Sequence, residues 1–138
     1  AEQLGYRIKL LGITRRTVIE TKDPRDRLMS EEFFGPIVTT YVYPEDEWEQ
    51  TLELVDDTAA YGLTAAIHTA SVHRALQFAE RVAAGVVVVN AGTHGSEPHM
   101  GFGGVKQSGT GWKEAGLESL DVYSETRYVN LVVDPART

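Results

Sequence analysis

The run Val86-Val87-Val88-Val89, entered at Gly85 from an apolar helical stripe and left at Asn90, constrains the fold more than any other segment. Four β-branched residues with no polar interruption read as a strand covered on both faces, the pattern of parallel sheets buried under helices. The chain ahead of it alternates in the same sense. Residues 37–43 are β-branched and aromatic between Pro36 and Pro44 and read as a strand. Pro44 then enters a helix running to about Ala59, in which Trp48, Leu52 and Val55 recur at helical spacing and Glu45, Asp46 and Glu47 sit at the positive end of the dipole. Tyr61-Gly62-Leu63 ends that helix, and residues 64–69 read as a short strand. Ser71 is a suitable N-cap for a second helix with Val72, Ala75, Leu76, Ala79, Val82 and Ala83 as its stripe, closed by Gly85 in the left-handed C′ position.

Strands and helices alternating over short connections predict parallel strands and right-handed crossovers. The expected class is α/β, a doubly wound, mostly parallel sheet with helices on both faces. In such sheets ligands gather beyond the carboxyl ends of the strands, where Asn90 and its following loop leave. The rest reads as a β-hairpin over residues 6–11 and 14–21, a glycine-rich loop over 91–111, a short helix over about 112–120 and a last strand near 128–133. The 138 residues are expected to form a single domain.

Composition narrows the function classes. A net charge of −7 disfavours nucleic acid, and no apolar run approaches the ~20 residues that span a bilayer. With no signal-peptide pattern at the start, a cytoplasmic setting is expected. Cysteine is absent, which removes disulfides, thiolate nucleophiles and cysteine-based metal sites together. The four histidines stand at no zinc-site spacing, and His94 and His99 beside Glu97 read as solvated loop side chains, so no metal is expected.

Two segments carry chemistry. In Glu31-Glu32-Phe33-Phe34-Gly35-Pro36 a carboxylate and a ring lie two residues apart ahead of a turn and a strand. Glu32 can accept hydrogen bonds from both hydroxyls of a ribose while Phe34 packs on a flat heterocycle, and nicotinamide riboside offers both features. The segment Gly101-Phe102-Gly103-Gly104-Val105-Lys106-Gln107-Ser108-Gly109-Thr110-Gly111 is not a phosphate loop. Its Lys106 lies between Val105 and Gln107 rather than in a contiguous Gly-Lys-Ser/Thr, and the glycines lie outside a first strand-to-helix turn.

Taken in order, Glu32-x-Phe34-Gly35-Pro36, Tyr61-Gly62-Leu63 and Phe102-Gly103-Gly104-x-Lys106-x-Ser108-Gly109-x-Gly111 resemble the carboxyl-terminal third of the aldehyde dehydrogenase superfamily. Glu20-Thr21-Lys22-Asp23-Pro24 and Tyr41-Val42-Tyr43-Pro44-Glu45-Asp46 are most similar to its 1-pyrroline-5-carboxylate dehydrogenase branch. The resemblance implies NAD or NADP as cofactor, Glu32 on the nicotinamide ribose and Phe34 beside the nicotinamide. It also implies Phe102 as a wall of the aldehyde pocket, and Gly95 and Ser96 in the loop that anchors a substrate carboxylate. Where the family usually has proline before Phe-Gly-Gly, this chain has Gly101.

The family attacks the aldehyde with a cysteine thiolate, and this chain contains none, so no catalytic residue is assigned and the chain alone is expected to be inactive. Weak or absent NAD(P) binding follows from a half-site of two residues. The expected role is a structural or assembly module, a homo-oligomer through the strand near 128–133; the alternative is one part of a split dehydrogenase, active with a partner chain that carries the cysteine.

Overall fold

The computed structural model describes residues 16–95, 97–133 and 136. Two parallel strand pairs organise them. In the first, β1 (Thr17–Thr21) pairs with β2 (Ile37–Tyr41), Thr17 opposite Ile37 and Thr21 opposite Tyr41. The connection holds a single helical turn, α1 (Arg27–Ser30), capped by the Asp26 carboxylate, which accepts from the Leu28 N–H at 2.9 Å. In the second pair β4 (Thr64–Ile67) lies parallel to β5 (Val86–Val89), and α3 (Val72–Arg81) makes the crossover. Between them comes α2 (Trp48–Thr58), entered through a 3-10 turn at Glu45–Glu47, and then β3 (Tyr61–Gly62). β3 pairs antiparallel with β6 (Val105–Lys106), and α4 (Ser119–Val122) is a last short turn of helix. The α/β class with parallel strands and helical crossovers is therefore observed, with the strands grouped as three two-stranded pairs.

The core sits where α2 and α3 cover β4 and β5. Leu52, Ile67 and Phe78 are buried together, with Trp48, Ala65, Val82 and Val87 packed around them. Trp48 also donates its indole N–H to Gln77 at 2.9 Å and lies under the Arg74 guanidinium, 5.2 Å from the ring centre. Arg81 bridges to Glu49 and Glu53, which fastens α3 to α2 on the solvent side.

Several expectations are corrected by this packing. Of the expected stripe, Ala75, Val82 and Ala83 are half-buried while Val72, Leu76 and Ala79 are exposed, and the buried residue of α3 is Phe78, which that stripe omits. The Phe78 ring brings a large apolar area to the cluster with Leu52 and Ile67. The valine strand is only half buried, and Val89 is exposed. Ser71 does cap α3, accepting from the Arg74 N–H at 3.3 Å, but the helix stops at Arg81 and Val82, not at Gly85. Tyr61-Gly62 is a strand as well as a helix stop. The helix expected over 112–120 shrinks to α4, because Ala115 and Gly116 take left-handed φ values of 63° and 66° that break it. Residues 128–133 pair with no strand among the described residues, and Tyr128, Val129, Leu131 and Val132 are largely exposed. Of the expected hairpin, residues 6–11 lie outside the described residues, and Thr17–Thr21 pairs in parallel with β2.

Candidate functional site

The segment after α1 is extended and leads directly into β2. Arg27 grips the Glu31 carboxylate with two bonds of 2.7 and 2.6 Å, one helical turn apart. That bidentate pair holds the Glu31 carboxyl below its ordinary pKa and raises the Arg27 guanidinium above its own. Glu32 is different. It is exposed and has no hydrogen-bond or ion-pair partner among the described residues. A tight turn follows, in which the Gly35 N–H donates to the Phe33 carbonyl at 2.7 Å and the Ile37 N–H to the Gly35 carbonyl at 2.8 Å. This turn leaves Phe34 89% exposed, two residues after the free carboxylate in sequence. The two neighbouring glutamates are thus separated in role by one arginine, Glu31 tied down and Glu32 available.

Phe102 lies in the glycine-rich loop, held by a reciprocal pair of backbone bonds. Its N–H donates to the Glu114 carbonyl at 2.7 Å, and the Glu114 N–H returns to the Phe102 carbonyl at 2.8 Å. Its ring forms one wall of an open cavity of about 540 Å³ with Leu63, Trp112 and Val122. Neither Glu32, Phe34 nor Gly95 is among the residues that line that cavity. Gly95 has a left-handed φ of 91° with open space where a side chain would stand. Ser96 lies outside the described residues. His94, Glu97 and His99 are exposed, and among the described residues no group of His, Asp and Glu side chains is placed to hold a metal ion. No helix among them is long and apolar enough to cross a membrane.

What the motifs alone do not reveal is how the glycine-rich loop is anchored. The Lys106 ammonium donates to the Asp56 carboxylate at 2.8 Å, to the Asp56 carbonyl at 2.7 Å and to the Ala59 carbonyl at 3.2 Å. Because α2 ends without a glycine cap, Lys106 supplies the donors that its last carbonyls need, and its charge complements the negative end of the helix. Asp56 also accepts from the Ala83 N–H at 3.0 Å, joining the end of α2 to the chain leaving α3. The hydroxyl of Ser108 accepts from the Gly62 N–H at 3.1 Å. Lysine two residues past Gly104 is visible in the sequence, but its partner fifty residues upstream is not.

The Lys106 hydrogen bond, followed by that of Ala83, holds the Asp56 carboxyl below its ordinary pKa. A group whose folded-state pKa is lowered contributes stability that is present above its unfolded value and is lost as pH falls through the folded one. Wild type is therefore expected to exceed Asp56→Asn in unfolding free energy at neutral pH, and the gap should close in acid below the lowered value. With the Asp56 side chain 41% exposed, solvent screening limits the gap to about 1 kcal/mol or less. Urea unfolding of both proteins across that range is the check, and a gap independent of pH would remove the charge from the explanation.

Comparison with known proteins agrees with the motifs. The model of the aldehyde dehydrogenase family matches residues 12–129. Mouse mitochondrial delta-1-pyrroline-5-carboxylate dehydrogenase is 37% identical over 118 residues, covering 83% of this chain and 20% of its own length. Benzaldehyde dehydrogenase [NAD(+)] of Pseudomonas putida is 33% identical over 120 residues, covering 87% of this chain and 24% of its own. Among solved structures, PnpE from Pseudomonas sp. WBC-3 superposes with a TM-score of 0.71 at 33% identity, over 88% of this chain and 25% of that one. An indole-3-acetaldehyde dehydrogenase complexed with NAD+ gives 0.69 at 31%, over 78% and 21%. The chain thus spans about a fifth to a quarter of the length of these relatives. With its motifs, its α/β architecture and its matched span, this chain belongs to the aldehyde dehydrogenase family and is similar to its 1-pyrroline-5-carboxylate dehydrogenase branch.

Proposed function

We propose that this chain supplies the nicotinamide-ribose contact and one wall of the aldehyde pocket of an NAD(P)-dependent aldehyde dehydrogenase, and that by itself it oxidises no aldehyde. The observation that carries this reading is the unpaired Glu32 carboxylate two residues ahead of the exposed Phe34, with Glu31 locked to Arg27. An exposed acceptor and an exposed flat ring fit the ribose hydroxyls and the planar base of a nicotinamide riboside. Bound NAD or NADP would supply the acceptor for the hydride that leaves the aldehyde carbon. Glu32 would orient the ribose and Phe34 would keep water from one side of the ring. Phe102 would line the aldehyde side of the pocket, and Gly95, with Ser96 after it in sequence, would receive a substrate carboxylate. A thiol nucleophile has to come from another polypeptide segment, since none of the 138 residues is cysteine.

The test is calorimetric titration with NAD. Two contacts without those to the pyrophosphate and adenine should give a dissociation constant of roughly 1 mM, about −4 kcal/mol, and Glu32→Ala should abolish the heat. Identical heats from wild type and Glu32→Ala would sink the proposed ribose contact.

A second reading, an assembly module, is favoured by the surface. The apolar residues Tyr128, Val129, Leu131 and Val132 are exposed, and we propose that residues 128–133 pair with a second copy of the chain. The two readings are compatible, and a cysteine-bearing partner chain would occupy the same kind of open surface. A cytoplasmic setting belongs to this proposal as well, although several relatives are named as mitochondrial.

A further inference from the structure

We propose that Lys113 is a positioning residue for Phe102, fixing the pocket wall against the β4·β5 pair through the carbonyl of Gly85; the proposal rests on the reading of Phe102 as that wall. The Lys113 ammonium donates to the Gly103 carbonyl at 2.5 Å and to the Gly85 carbonyl at 2.8 Å. Gly103 follows Phe102 directly, and Gly85 enters β5. The Gly85 N–H is itself bonded to the Gly62 carbonyl at 2.9 Å, and the Val86 N–H to the Leu63 carbonyl at 3.0 Å. One ammonium thus ties the loop that carries the ring to the frame of the strands.

Nothing else described makes that tie at Phe102. Its own backbone bonds reach only Glu114, next to Lys113, in a bridge that extends into no sheet. The remaining loop anchors, the β3·β6 pairing and the Lys106 and Ser108 side chains, act further along the chain. Lys113 makes no ion pair among the described residues, and its ammonium donates to two carbonyls in charge-assisted bonds, which are stronger than neutral ones. The chains meet here at a distance only glycine allows. A Cβ on Gly85 would collide with the Gly103 carbonyl oxygen, and a Cβ on Gly103 with the Trp112 carbonyl oxygen. With the backbones this close, removing the donors leaves the Gly85 and Gly103 oxygens facing one another without a shared cation between them, and the loop is expected to move off.

Fluorine resonance of the whole chain grown with 4-fluorophenylalanine tests this. Its four phenylalanines, Phe33, Phe34, Phe78 and Phe102, give four signals assignable by single Phe→Leu replacements. In Lys113→Met, which keeps the stem and loses the donors, the Phe102 line is expected to shift or broaden while the core Phe78 line stays in place. Lys113→Arg should keep the wild-type Phe102 line. The proposal is overturned if the Phe102 line in Lys113→Met matches wild type, if the Phe78 line moves with it, or if Lys113→Arg behaves as Lys113→Met. The measurement uses neither nicotinamide nor aldehyde, so it stands or falls apart from the proposed ribose contact.

Discussion

Leu52→Ala is expected to lower the unfolding free energy by about 2–5 kcal/mol, the range for deleting a buried leucine side chain. Leu52 is 2% exposed and belongs to the α2·α3·β4·β5 cluster, whose other buried apolar members among the described residues are Ile67 and Phe78. So few buried side chains leave little packing to close the cavity. Against the roughly 5–15 kcal/mol that holds an ordinary domain together, that loss takes a large share of the stability. Urea unfolding followed by circular dichroism and by tryptophan fluorescence, with Trp112→Phe so that only Trp48 on the same cluster reports, would measure it. Leu120→Ala, at a position 61% exposed, is the control and should change stability by about 0.5 kcal/mol or less. Equal effects at the two positions would mean that the cluster around Leu52 is not the core.

The second large effect concerns assembly. The full chain is expected to sediment as a dimer or larger species at micromolar concentrations, and a version ending at Glu125 as a monomer. The removed segment includes Tyr128, Val129, Leu131 and Val132, each at least 79% exposed, and an apolar stretch with unpaired backbone groups is a template for pairing. If both versions are monomers, or if both associate to the same extent, residues 128–133 are not the contact.

How far the sequence reveals this molecule depends on the distance over which each feature is determined. The helices α2 and α3 and the strands of both parallel pairs are legible because local period and local caps specify them: Trp48 and Leu52 for α2, Ser71 for α3, the valine run for β5. Which side of α3 is buried is not, since Phe78 lies outside the regular stripe of Val72, Ala75, Leu76, Ala79, Val82 and Ala83, and only the packing partners select it. The valine run reads as covered on both faces because composition reports what a strand is suited to contact. Exposure depends on which neighbours are present. Gly85 looks like a helix terminator in sequence, whereas its reason is the close approach of Gly103, eighteen residues later in the chain.

The candidate site divides along the same line. Glu32, Phe34 and Phe102 are found by motif, and the local structure explains why Glu32 rather than Glu31 is available. Lys106 with Asp56 and Lys113 with Gly85 are long-range pairs between a cation and the backbone, and no spacing rule points to them.

The most direct measurement of the central claim is NADH formation from an aldehyde by the chain purified free of other dehydrogenases, followed by absorbance with excess NAD. Without a thiol to form the covalent intermediate, the account predicts no NADH from glutamate semialdehyde or benzaldehyde, whether or not Glu32 is intact. Steady NADH production that disappears in Glu32→Ala would contradict it, because the chain would then oxidise aldehydes without the cysteine on which the proposed division of labour depends.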